Sequence, residues 1–166
     1  MGNSNIASGV NSFAAMEGSE ASGNSSFAIN AGIATANNAI AIGPSTNSNG
    51  FASLSIGNNN YSRSTLSATI GQGLISNNQH ALVIGRHNDT TGTTVGDSSL
   101  LFQIGNGSLD GSVRSNIMTV TRTGVGIGTT NPSAKLHIDA ASGTTLLITS
   151  NNYDIFRVNL DGGFRF

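Results

Sequence analysis

Gly124-Val125-Gly126-Ile127-Gly128 is the stretch best suited to hold a phosphate, because closely spaced glycines let backbone N–H groups face an anion. The dinucleotide fingerprint GxGxxG needs a glycine at position 129, which is threonine, and no helical pattern follows. His80, His87 and His137 never fall in HExxH or another zinc spacing, so solvated histidines are expected. Glu17 and Glu20 are the closest glutamate pair, yet the acids are otherwise scattered and GxSxG is absent, which argues against hydrolysis by paired carboxylates or by a serine. Asp89 and Asp97 bracket an insertion, 88–99, without the ligand-rich spacing of a calcium loop. The sequence therefore predicts no catalytic residue, no cofactor and no metal site, and the chain is not expected to be an enzyme.

The elements that carry these residues follow from composition and periodicity. Gly, Ser, Asn and Thr make up nearly half of the 166 residues, and charged residues only 9 %, against about a quarter in ordinary domains. Helical bundles need Glu, Lys, Arg and Leu and fit poorly. With a net charge of −1 there is no basic stripe to neutralise phosphates, so nucleic acid is not an expected partner. No apolar run approaches the roughly 18 residues of a membrane span, and Met1 to Ile6 lacks the pattern of a secretory signal. The absence of cysteine excludes a disulfide framework.

Gly43, Gly57, Gly71 and Gly85 recur at a constant step of fourteen, each closing a similar pentad: Ala39 to Gly43, Ser53 to Gly57, Ser67 to Gly71 and Ala81 to Gly85. Upstream, Phe13-Ala14 and Phe27-Ala28, with Gly18 and Gly32, keep the step, and the briefer interval of eleven from Gly32 to Gly43 reads as a short coil. Leu100 to Gly105 resumes the pentad after the insertion. Within each pentad large and small residues alternate as in a strand. About seven stacked coils, separated by Asn/Ser/Gly turns, predict an all-β fold with a parallel β-solenoid at its head. The expected core is the line Ile42, Ile56, Ile70, Ile84 and Ile104, with Gly43, Gly57, Gly71, Gly85 and Gly105 as the repeat turns. So thin a core is marginal in one chain. The small second face, Ala39/Ala41, Ser53/Ser55 and Ser67/Thr69, would let three copies approach, and an obligate homotrimer is expected.

Residues 6 to 107 resemble the head repeats of trimeric autotransporter adhesins, the YadA-like left-handed β-roll, although no heptad stalk is present. Beyond Gly105 the period is lost. Gly124 to Asp139, reading VGIGTTNPSAKLHID after its first glycine, resembles the VGIGTTNPxxKLHV segment of phage tail fibres and related trimeric surface fibres. Gly124, Gly126, Gly128 and Pro132 mark this neck, the glycines permitting close backbone approach where three chains would converge. Three further strands, Thr145 to Thr149, Asp154 to Leu160 and Phe164 to Phe166, predict a small antiparallel β cap. The expected division is 1–107 solenoid head, 108–143 neck or crossover, and 144–166 cap.

Loops on rigid scaffolds often bind, so Tyr61, Arg63, Arg86 and His87 are candidate receptor contacts. The resemblances imply a structural homotrimeric fibre of a phage tail or virion that attaches to a host surface. Its expected partners are copies of itself, neighbouring fibre or baseplate proteins, and a host glycan or protein receptor. The alternative is a bacterial trimeric surface adhesin or extracellular filament subunit; a depolymerase with carboxylates between subunits ranks third.

Overall fold

The coils are closed by backbone bends that few residue types tolerate. In the computed structural model, which describes residues 4–94, 96–97, 99–140, 144–150, 153–159 and 164–165, three left-handed bends recur in successive coils. One column is Met16, Asn30, Gly43, Gly57, Gly71 and Gly85; the second is Gly18, Ala31, Ser45, Asn59, Gly73 and His87; the third is Asn11, Ser25, Asn38, Ala52, Leu66 and His80. The abundance of Gly, Asn and Ser follows from this demand, since positive φ is costly for most L-residues. Leu66, half exposed at φ 54°, stands where earlier coils have Asn11, Ser25 and Asn38. Leu66→Asn is expected to stabilise the protein by about 0.5–1 kcal/mol, which a rise in melting temperature would register.

Among the described residues there is no helix. Two-residue strands β1 (Ile6–Ala7), β3 (Glu20–Ala21), β5 (Ile33–Ala34), β7 (Asn47–Ser48), β9 (Tyr61–Ser62) and β11 (Ile75–Ser76) form a parallel six-stranded sheet. They alternate along the chain with β2 (Phe13–Ala15), β4 (Phe27–Ile29), β6 (Ile40–Ile42), β8 (Leu54–Asn58), β10 (Ala68–Gln72) and β12 (Leu82–Arg86), which stack in parallel and are followed by β13 (Leu100–Asn106). This is a parallel β-solenoid with seven rungs on its larger sheet. Most coils keep the step of fourteen, as the pairs Ala68↔Leu82 and Leu54↔Ala68 show. One coil is a single residue shorter, pairing Glu20 with Ile33 and Phe27 with Ile40. Gly32 therefore does not align with Gly43, whose upstream counterparts are Asn30 and Met16, and the much shorter coil expected between those glycines is corrected.

The parity of burial is the reverse of the expected one. Inward positions of the six-stranded sheet are Ala21, Ala34, Ser48, Ser62 and Ser76; those of the larger sheet are Ala28, Ala41, Ser55, Thr69 and Val83, all fully buried. Ile42, Ile56, Ile84 and Ile104 lie half-buried on the outer side and Ile70 is exposed. The reason is cross-section. The sheets approach so closely that the hydroxyls of Ser62 and Thr69 lie 3.0 Å apart and those of Ser48 and Ser53 lie 2.7 Å apart, leaving no room for isoleucine. The interior runs from an alanine cluster (Ala21, Ala28, Ala34, Ala39, Ala41) to a hydroxyl and amide ladder. Within that ladder Asn60 donates to the carbonyls of Ile56 and Gly71 and accepts from Leu74 N–H, so much of this buried polarity is hydrogen-bonded.

Gly57, Gly71, Gly85 and Gly105 lie within strands rather than in turns. A methyl group at Gly71, where φ is +146°, would sit 1.9 Å from the carbonyl oxygen of Gly85 in the next coil. The glycine column is thus a place of backbone-to-backbone contact between rungs: Gly43 stands at the bend that the sequence predicts, whereas Gly57, Gly71, Gly85 and Gly105 are corrected from turn to strand-end positions.

After β13 the sheet continues with reversed direction. β14 (Asn116–Thr121) pairs antiparallel with β13, β15 (Val125–Ile127) antiparallel with β14, and β16 (Leu136–Ile138) parallel with β15, completing ten strands. The segment expected as a neck therefore belongs to the sheet of the repeats. Its glycines serve contacts within one chain: an added methyl at Gly124 would lie 2.1 Å from Ala134 O, and at Gly128 2.1 Å from Asp139 O. Gly126 is buried opposite Thr119, and Pro132 is buried in the loop before β16. Finally β17 (Thr144–Ser150), β18 (Tyr153–Asn159) and β19 (Phe164–Arg165) make a three-stranded antiparallel sheet. Leu160 and Phe166, expected at the ends of the last two strands, lie outside the described residues.

Candidate functional site

Because small residues fill the coil, the large apolar ones line up outside it. One outward column of the ten-stranded sheet runs Phe13, Phe27, Ile40, Leu54, Ala68, Leu82 and Phe102 through the parallel rungs, then Val120, Val125 and Leu136. The second runs Ala15, Ile29, Ile42, Ile56, Ile70, Ile84 and Ile104, then Met118, Ile127 and Ile138. Every position in both columns is apolar. The ladder between them is buried from Ala28 to Gly126. Phe13 and Phe27 stack with ring centroids 5.1 Å apart. Nine strand intervals make this ribbon about 43 Å long. Phe13 is 50 % exposed, Ile70 43 % and Leu136 57 %. A continuous apolar strip of that length is unusual on the surface of a monomeric protein.

The insertion does not project freely. It folds back over the segment that follows β11: Gln79 N–H donates to Asp97 O at 2.6 Å, Gly96 N–H to Asn77 O at 2.9 Å, and Asn77 Nδ2 to Thr93 Oγ1 at 3.2 Å. Asp89 accepts from the N–H and hydroxyl of Thr91, and Asp97 from those of Ser99. Both carboxylates act as local turn anchors, and among the described residues no group of His, Cys, Asp and Glu could hold a metal ion. Between this loop and the end of the ten-stranded sheet lies a cleft of about 320 Å³. Thr91, Thr93 and Ser99 form one wall and Leu100 with Gln103 the floor. Thr121, Thr123 and the loop Thr130-Asn131-Pro132 close the other side. That loop is steadied by Ser133 N–H donating to His137 Nδ1 at 3.3 Å.

The four candidate contact residues do not form one site. Tyr61 and Arg63 sit at β9 on the six-stranded sheet, with the guanidinium 5.3 Å from the ring centroid. Arg86 ends β12 on the other sheet and donates from Nε to Gly107 O at 2.8 Å. His87 is 7 % exposed, which corrects its reading as a receptor contact. It occupies a left-handed bend, and methyl groups at Gly73 and Gly111 would collide with its ring. Neither ring nitrogen finds a hydrogen-bond partner among the described residues. Arg114 braces the same corner by donating to the carbonyls of Gly73 and Asn88.

The hairpin that follows carries a strongly shifted carboxyl. Asp110 is held at about 2, below its ordinary 3.8, first by the Ser108 hydroxyl and then by the Ser112 N–H and hydroxyl. A lowered value means the turn's charged hydrogen bonds are intact above pH 4 and are lost as pH falls through about 2. Ser108→Ala should move the Asp110 midpoint upward towards 3.8, readable by carboxyl NMR titration.

No known protein family, curated protein or solved structure matches the chain.

Proposed function

We propose that this chain is a structural fibre protein that works as a homotrimer. The observation that carries the reading is the twenty-position apolar ribbon along the ten-stranded sheet. Three parallel copies around an axis along the stacking direction would withdraw the ribbons from water together and close the assembly, leaving no open-ended contact. Isoleucine and leucine stripes, not the alanine and serine face expected from the sequence, would then be the subunit interface.

As in the trimeric fibres that Gly124 to Asp139 resembles, the assembled shaft would belong to a phage tail or virion and attach it to a host surface, bound at its ends to neighbouring fibre or baseplate proteins. The regular glycine-ended repeat supports the second reading, a bacterial trimeric surface adhesin or extracellular filament. Native mass measurement should return three times the 16.8 kDa chain mass; a folded monomer at micromolar concentration would overturn the trimer. Gold-labelled antibody to the chain should decorate particle tails or fibres. Labelling confined to the cell envelope would replace the virion with the adhesin.

A further inference from the structure

We infer that the cleft between the insertion and the Thr130-Asn131-Pro132 loop is a binding site for a neutral, polyhydroxylated ligand, a saccharide unit. Its lining includes no ionisable side chain, and the carboxylates of Asp89 and Asp97 stand behind the wall, already accepting from the Thr91 and Ser99 hydroxyls, so an anion finds no counter-charge in the lining. Its volume of about 320 Å³ falls at the lower end of small-molecule sites.

The hydrogen-bonding capacity is divided between the walls. On one side the hydroxyl protons of Thr91 and Ser99 are committed to Asp89 and Asp97, so these oxygens have only lone pairs left to offer and act as acceptors. On the other, the Thr130 hydroxyl and the Asn131 side-chain amide make no hydrogen bond among the described residues and can both donate and accept. Leu100 and Pro132 add buried apolar surface. Acceptors facing mixed donors over an apolar patch suit the alternating hydroxyls and C–H faces of a sugar ring. The anchoring of the insertion by Asp97, Gly96 and Asn77 keeps the wall in place without a ligand, which lowers the ordering cost of binding.

A role for this site in attachment rests on the fibre reading above; the binding itself does not. Saturation-transfer NMR on the full chain should be run with neutral hexoses, N-acetylhexosamines and their disaccharides, with sulfate and a hexose phosphate as charged comparators. Saturation of the neutral sugars is expected, weakened about tenfold in Thr130→Ala/Asn131→Ala. Circular dichroism and native mass should be unchanged in that variant, since both side chains lie outside the ribbon. No saturation of any neutral sugar at millimolar concentration, or equal binding by the double variant, overturns the site. Sugar binding by a chain that proves monomeric would retain the site and remove the fibre reading, and a trimer that ignores sugars would do the reverse.

Discussion

Gly71→Ala is expected to lower stability by about 3 kcal/mol or more, a drop in melting temperature of roughly 6–12 °C for a chain of this size. Two costs combine. The new methyl would lie 1.9 Å from the Gly85 carbonyl oxygen, and the residue must still hold a φ of +146°. The obstacle is backbone of the next rung, so relief requires separating coils whose hydrogen bonds set their spacing. Gly92→Ala supplies the control. Its φ is +76°, but nothing lies within 4 Å of an added methyl, so only the conformational cost of about 1 kcal/mol remains. Equal losses for the two variants would show that inter-rung contact contributes nothing.

Charging the ribbon should have the other large effect. In Ile56→Asp/Ile84→Asp each subunit would bring two carboxylates to a surface proposed to be dry, six in a trimer. Burying an unpaired ion costs several kcal/mol, so the trimer is expected to fall apart at micromolar concentration, seen as a threefold drop in mass by light scattering. Asn49→Asp adds charge at an exposed position near the smaller sheet, where the side-chain oxygen already accepts from Thr35. It should leave the mass alone. If the doubly charged ribbon stays associated, the subunits meet elsewhere.

How much of this was legible in the residues differs by feature. The even spacing of Gly43 to Gly85 revealed the stacked coils, because backbone contact between these rungs tolerates no side chain and stamps glycine on the sequence from Gly43 onward, although Met16 and Asn30 hold the same column in the first coils. Alternation in Ser53 to Gly57 separated two faces but could not say which was inside. The usual assignment of large apolar residues to the interior fails when a coil is too narrow to hold them, and that narrowness is a property of the closed loop, visible only in distances such as Ser62 to Thr69. Gly124 and Gly128 correctly signalled close approach, yet what approaches them is the chain's own Ala134 and Asp139. His87 looked like an exposed loop residue; its burial depends on Gly73, one coil away, and Gly111, across a hairpin. The cleft left no signature, because its neutral hydroxyls come from segments far apart in the chain and match no spacing rule.

The coil-to-coil register has a consequence for how such a molecule changes over time. Most rungs repeat one pattern of small inward positions, apolar outward positions and left-handed bends, so duplicating or deleting one coil's worth of sequence would leave neighbouring contacts of the same kind. Reach would change by about 4.8 Å per event. Girth would not. A lineage carrying this architecture can lengthen or shorten its solenoid by tandem gene duplication, one increment at a time, while the insertion and the hairpin beyond it travel unaltered on the terminal rung.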